Sequence, residues 1–160
     1  MEEVASIRGP FYRFLRGQSA VYPMVLRRLE EGSNCALWMC YIFPRLRGLA
    51  RSRKAFVYGI VDSGHGRAYL AHPILGPRLI RCFEVLLSHK SKSAEELLGK
   101  SGACHLWECA TLFAMVSEEG SVFHRALDRF FRGEMDPWTV GFCKGRILDM
   151  TYRKFLVAVG

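Results

Sequence analysis

The stretch Leu37-Trp38-Met39-Cys40-Tyr41-Ile42-Phe43-Pro44 is apolar at every position before its proline. A segment that is apolar around its whole circumference is typical of a helix buried on every side. Pro44 ends such a helix, because proline disfavours helical geometry at the residue before it. The sequence therefore predicts a buried helix over about 35–43, around which the rest of the chain is organised.

Helix boundaries recur on both sides of this segment. Pro23 suits the first position of a helix that Gly32 ends. Ser93 and Glu96 form a capping box. Further boundaries are expected at Gly17, Ser52, His72-Pro73, Gly99, Gly133 and Asp136-Pro137. Strand-like alternation is scarce, so we predict an all-α fold: a compact multi-helical single domain with about eight short to medium helices and no significant sheet.

The length of 160 residues, 50% of them hydrophobic, fits one domain. We expect this helical domain to span 8–145, with a flexible N-terminus at 1–7 and a C-terminal extension at 146–160. The first residues lack the features of a signal peptide, and no run of 18 apolar residues occurs. We therefore expect a soluble, cytoplasmic protein that has no membrane partner.

Six cysteines lie inside apolar helical patterns, which favours buried free thiols over disulfides. A metal site is not expected, because the cysteines at spacing i, i+5 point away from one another on a helix and no C-x-x-C pair exists. The sequence also contains no Gly-rich phosphate loop, nucleophile elbow or H-E-x-x-H motif. No cofactor is predicted, and the sequence does not indicate an oligomeric state.

Several ordered blocks resemble a known family, the mainly bacterial helical proteins grouped as domain of unknown function 1810 and sometimes labelled calpastatin. The blocks are Arg13-Phe14-Leu15-Arg16-Gly17-Gln18, Trp38 to Pro44, Ala68 to Leu79, Thr111-Leu112-Phe113 and Gly133-Glu134-Met135-Asp136. The resemblance implies a mostly helical domain and assigns it neither a reaction nor a cofactor.

The chain departs from the family pattern at several positions. The family usually has lysine and histidine at the positions of Asn34 and Leu37, tryptophan at Cys40 and glutamine at Arg45. It usually has two serines where this chain has Glu108 and Cys109. If the family site uses those polar groups, the resemblance implies a divergent member whose ancestral activity is altered.

Two clusters of candidate binding residues flank helix breaks. Trp38 and Arg45 combine an aromatic surface with positive charge, which suits a planar or anionic ligand, although core packing is the alternative. Gln18 and Tyr22 lie between the first two helices and supply donors and acceptors, or form a buried network there.

The third cluster is His72 with Arg78. A histidine at a broken helix boundary can exchange protons near neutral pH, and the guanidinium can hold a carboxylate or phosphate. His72 is the candidate catalytic residue, and the alternative is that it only caps the following helix.

Three functions remain open from the sequence. The first is binding of an unknown small ligand or peptide in a pocket formed by Gln18, Tyr22, Trp38, Arg45, His72 and Arg78. The second is a degenerate or cryptic enzyme that uses His72 with Arg78. The third follows from the net charge of +8: an acidic partner, including nucleic acid, at the basic stretch 45–54, although a solvated face is the simpler interpretation.

Overall fold

The computed structural model describes residues 9–145 and shows nine α-helices within that range. They are α1 (Tyr12–Ser19), α2 (Tyr22–Glu31), α3 (Met39–Ile42), α4 (Arg53–Val57), α5 (Ser63–Ala71), α6 (Leu75–Ser88), α7 (Ala94–Met115), α8 (Val122–Phe131) and α9 (Pro137–Cys143). Two 3₁₀ turns, Ala36–Trp38 and Arg47–Leu49, lie between them. The predicted all-α fold is confirmed. The segments 1–7 and 146–160 lie outside the described residues.

The longest helix, α7, is the centre of the packing, with α5, α8 and α9 against it. A second layer forms where α6 packs on α2, α5 and α8. Buried aromatic rings in successive contact, with centroids 4.9–5.6 Å apart, cross the core in the order Phe43, Phe83, Phe123, Phe113, Tyr69, Phe14. Such edge-to-face and tilted pairs stabilise a core beyond the area that they bury.

Most of the predicted helix boundaries are confirmed. Gly32 adopts the left-handed conformation at φ 70° and ends α2, and the Ser93–Glu96 capping box starts α7. The side chain of Asp136 accepts from the backbone N–H of Thr139 at the start of α9. Gly99 interrupts α7 with non-helical backbone. Each of these boundaries is set by residues close together in the sequence, so tertiary packing does not override it.

The predicted buried helix over 35–43 is wrong in its length and in its burial. The chain instead makes the 3₁₀ turn Ala36–Trp38 and then the short α3. The Asn34 side chain accepts from the backbone N–H of Ala36 at 2.7 Å and fixes the tight turn. As a result Leu37 is 74% exposed, whereas Phe43 is fully buried.

Two further expectations need correction. The first helix does not end at Gly17 but continues to Ser19. All six cysteines are free, as predicted, but burial is not uniform among them: Cys104 is exposed, and Cys40 and Cys143 are half-buried.

Residues 47–59, which we call the α4 loop, are closed at their base by backbone pairing. Arg47 N–H donates to the carbonyl of Ile60 at 2.7 Å, and Ile60 N–H donates to the carbonyl of Arg45 at 2.9 Å. An isolated parallel bridge between Leu46 and Ile60 results. Across the described part of the chain, no helix combines the length and apolarity needed to cross a bilayer.

Candidate functional site

An open groove of about 480 Å³ lies between α1, the segment leading into α3 and the α4 loop. We call it the aromatic groove, because Trp38, Tyr41 and Tyr58 supply much of its surface. Its lining residues are Arg16, Gly17, Val21, Leu37, Trp38, Tyr41, Lys54 and Tyr58. The groove therefore draws on segments far apart in the sequence.

The inner surface of the groove depends on a close approach at Gly17. A β-carbon at this position would lie 2.7 Å from Cδ1 of Tyr41 and 3.1 Å from Cε1 of Tyr58. The two tyrosine rings contact each other edge to face, with centroids 4.6 Å apart. Only glycine lets both rings pack against α1, and their positions shape the groove.

Positive charge lies at the groove and along its edge. Lys54 Nζ is 4.2 Å from the ring centroid of Tyr41 and donates to the carbonyl of Leu37 at 3.0 Å. The Arg28 guanidinium lies 5.2 Å from the ring centroid of Trp38. Among the groove's described lining residues none is acidic. A neutral or anionic ligand is therefore compatible with the groove, and a cationic one is disfavoured.

Behind the groove, a buried hydrogen-bond network holds the backbone of Tyr41. Gln18 Nε2 donates to the carbonyl of Tyr41 at 2.8 Å and to the hydroxyl of Tyr69 at 3.0 Å. Arg78 Nη1 reaches Gln18 Oε1 at 3.5 Å, and its guanidinium lies 4.8 Å from the ring centroid of Tyr22. Gln18, Tyr22 and Arg78 thus lie together in a partly buried network, and Arg78 contacts these two side chains rather than His72.

His72 caps the start of α6. Its Nδ1 accepts from the backbone N–H groups of Ile74 at 3.2 Å and Leu75 at 3.3 Å. The imidazole also contacts the ring of Phe11 edge to face, with centroids 5.6 Å apart. Burial lowers the pKa of His72, which favours the neutral ring that the capping role requires.

Arg45 lies apart from the groove, in an ion pair with the buried carboxylate of Glu108. Both are positions at which the resemblance implies a departure from the family pattern, and here the two side chains pair with each other. Next to them, His105 Nε2 lies 2.7 Å from the carbonyl of Phe43. Burial, aided by the nearby Arg45 charge, lowers the pKa of His105 to about 4.

The six predicted site residues therefore do not form one pocket. Trp38 lines the groove, the Gln18–Tyr22–Arg78 network lies behind it, and Arg45 and His72 have other partners. Sequence reasoning missed Gly17 and Tyr58. A glycine inside a helix costs about 1 kcal/mol relative to alanine, so Gly17 within the first helical pattern is the signal that could have indicated a close contact. Within residues 9–145, no three metal-ligating side chains converge.

Comparison with known proteins places this architecture in a family. The fold is similar to the crystal structure of the conserved hypothetical protein Rv1873 from Mycobacterium tuberculosis, with a TM-score of 0.82 and 35% sequence identity, covering 85% of this chain and 99% of that one. No curated protein matches the chain. Residues 10–143 match the family described as "Protein of unknown function (DUF1810)", which confirms the resemblance seen in the sequence blocks. The chain therefore belongs to the DUF1810 family.

Proposed function

We propose that the protein binds a small planar ligand in the aromatic groove. The observation that carries this proposal is the convergence of Trp38, Tyr41 and Tyr58 on one open groove of about 480 Å³. Ligand sites in proteins typically have volumes of roughly 300–1,000 Å³ and are rich in aromatic side chains. Trp38 is the member of the predicted site that would contact the ligand, and Gln18 would position Tyr41.

Binding is favoured over catalysis by the chemistry of the groove. Its described lining carries aromatic rings, two cations and aliphatic groups, but no histidine, carboxylate, serine or cysteine. The enzyme alternative relied on His72 with Arg78. Both side chains hold the fold together through the contacts described above, so this alternative gains no support from their geometry.

Nucleic-acid binding remains a second candidate because of one exposed ring. Phe56 is 50% exposed on the α4 loop, and the Arg47 guanidinium lies 4.7 Å from its ring centroid. Proteins that bind single strands combine such aromatic platforms with positive charge. This candidate requires an affinity for single-stranded oligonucleotides that falls steeply as salt concentration rises, and salt-independent binding would exclude it.

A library of planar compounds, including nucleosides and aromatic carboxylates, tests the groove by thermal shift and by tryptophan fluorescence. We expect a hit to stabilise the native protein and to lose affinity in Trp38→Leu. Phe130→Leu is the matched control, since Phe130 is a partly buried ring on α8 that does not line the groove. Absence of any hit, or equal loss of affinity in both variants, would contradict groove binding.

A further inference from the structure

We propose that Arg13 and Arg47 form a phosphate-binding subsite at the end of the aromatic groove, so that the ligand is a phosphorylated planar compound of the nucleotide class. The planar half of this inference rests on the proposed function. The phosphate half rests on separate observations about the two arginines.

The position of Arg13 on α1 brings it near the groove. It precedes Gly17 by four residues, so the two positions share a helix face and lie about 6 Å apart along the axis. Its guanidinium lies 4.8 Å from the ring centroid of Phe14. That ring in turn contacts Tyr58, a wall of the groove, at 6.2 Å between centroids. Arg13 is outside the lining of the groove, but through the Phe14 ring it lies close to Tyr58, which is part of that lining.

Arg47 approaches the backbone next to Tyr58 from within the α4 loop. Its Cα is so close to Gly59, the residue after Tyr58, that a β-carbon on Gly59 would lie 2.6 Å from it. Arg47 Nε donates to the carbonyl of Phe56 at 3.1 Å, and this contact fixes the guanidinium along the loop. The two arginines thus flank Tyr58 from two different segments.

Neither guanidinium has an acidic partner in an ion pair within residues 9–145. Arg13 Nε is buried and has no hydrogen-bond partner in the described part of the chain. Burial, and then the positive charge of Arg47, lower the pKa of Arg13. The carboxylate of Asp62, also on this side, is used to cap α5 through the N–H of His65. An anion bound by the two guanidinium groups would compensate their charges and remove their repulsion.

Two guanidinium groups favour phosphate over carboxylate. Each planar fork can donate two parallel hydrogen bonds, and a phosphate group has enough oxygens to accept from two forks, whereas a carboxylate matches one. The wider charge distribution acts in the same direction: residues 9–83 contain twelve Lys and Arg against three Asp and Glu. The positive field of this half of the chain attracts a multiply charged anion.

Calorimetric titration of the whole protein with adenosine, adenosine 5′-monophosphate and inorganic phosphate tests the subsite. We expect the monophosphate to bind at least about tenfold more tightly than adenosine, because hydrogen bonds between its phosphate and the two guanidinium groups add to the binding free energy. Arg13→Met and Arg47→Met retain the aliphatic stems and should each abolish this ratio. Arg27→Met, at an exposed position on α2 outside the groove, should retain it.

The outcomes separate this inference from the proposed function. Equal affinity for adenosine and its monophosphate would overturn the phosphate subsite and leave groove binding intact. Phosphate binding that needs Arg13, without any binding of planar probes, would sustain the subsite and contradict groove binding. Tighter binding of a single-stranded oligonucleotide than of the monophosphate would overturn the assignment to a small ligand. Failure of both phosphate-bearing probes to bind would overturn the subsite.

Discussion

Gly17 and Tyr41 are in direct contact, and a β-carbon on Gly17 would lie 2.7 Å from Cδ1 of the tyrosine ring. This contact couples α1 to the groove wall. It has a consequence that helix propensity alone would not suggest, because replacing a helical glycine by alanine normally stabilises a helix by about 1 kcal/mol.

Gly17→Ala is therefore expected to destabilise the protein, by about 1–3 kcal/mol, because the added methyl group overpacks the contact with Tyr41 and Tyr58. Urea denaturation measures the change. Gly64→Ala on α5 is the control, since its β-carbon would meet only Asp62 Oδ1 at 3.4 Å. A stability gain in both variants would show that the Tyr41 ring shifts to accept the methyl group without a loss of unfolding free energy.

The buried ion pair predicts strong non-additivity. Glu108→Ser should lower the free energy of unfolding by ~3 kcal/mol, since it leaves the largely buried Arg45 charge uncompensated. The double variant Arg45→Gln with Glu108→Ser, which uses the residues that the family resemblance implies, should cost less than the two single changes combined. A double-mutant cycle measures the difference. Additive losses would contradict a coupled pair.

His105 predicts a loss of stability in mild acid. Its pKa is about 4 in the folded protein against an ordinary value of 6.5. Between these pH values His105 is therefore protonated in the unfolded chain and neutral in the folded chain. The contribution is complete above pH 6.5 and is lost as the pH falls towards 4, by roughly 3 kcal/mol in total. His105→Gln should flatten the measured dependence of unfolding free energy on pH. Parallel curves for both proteins would exclude this role.

The capping geometry predicts a structural role for His72. His72→Ala should cost about 1 kcal/mol, because Nδ1 no longer accepts from the N–H groups of Ile74 and Leu75. His72→Asn keeps a short acceptor and should recover most of that loss. Thermal unfolding checks stability, and ligand affinity should be unchanged in both variants. A loss of ligand affinity without a loss of stability would indicate that His72 contacts the ligand.

The parts of the fold that were predictable from the sequence are those set by local chemistry. Gly32, the Ser93–Glu96 box and Asp136 act through hydrogen bonds or backbone angles within a few residues, so their spacing is sufficient. The prediction for the segment before Pro44 was wrong for the opposite reason. Its apolar composition indicated burial, but the Asn34 hydrogen bond to Ala36 set a 3₁₀ turn that directs Leu37 outwards.

The site was less predictable because it depends on contacts between distant segments. Gly17, Tyr41 and Tyr58 are separated by 24 and 17 residues in the sequence, and no periodicity indicates that they meet. Similarly, the charge of Arg45 indicated a ligand contact, whereas its partner is Glu108, 63 residues away. The sequence indicated which polar side chains need a hydrogen bond or an ion pair. The tertiary structure was needed to show with which residues they form one.

The α4 loop supplies one wall of the groove. Its base is closed by main-chain hydrogen bonds between Arg45, Arg47 and Ile60, which do not depend on side-chain identity. Its upper part carries Lys54 and Tyr58 into the groove. Other parts of the loop are held by packing, since Leu49 and Ala55 are buried and a β-carbon on Gly48 would clash with the ring of Phe142 on α9. We therefore expect substitutions at Lys54 and Tyr58 to change one wall of the groove without opening the main-chain pairing that closes the loop.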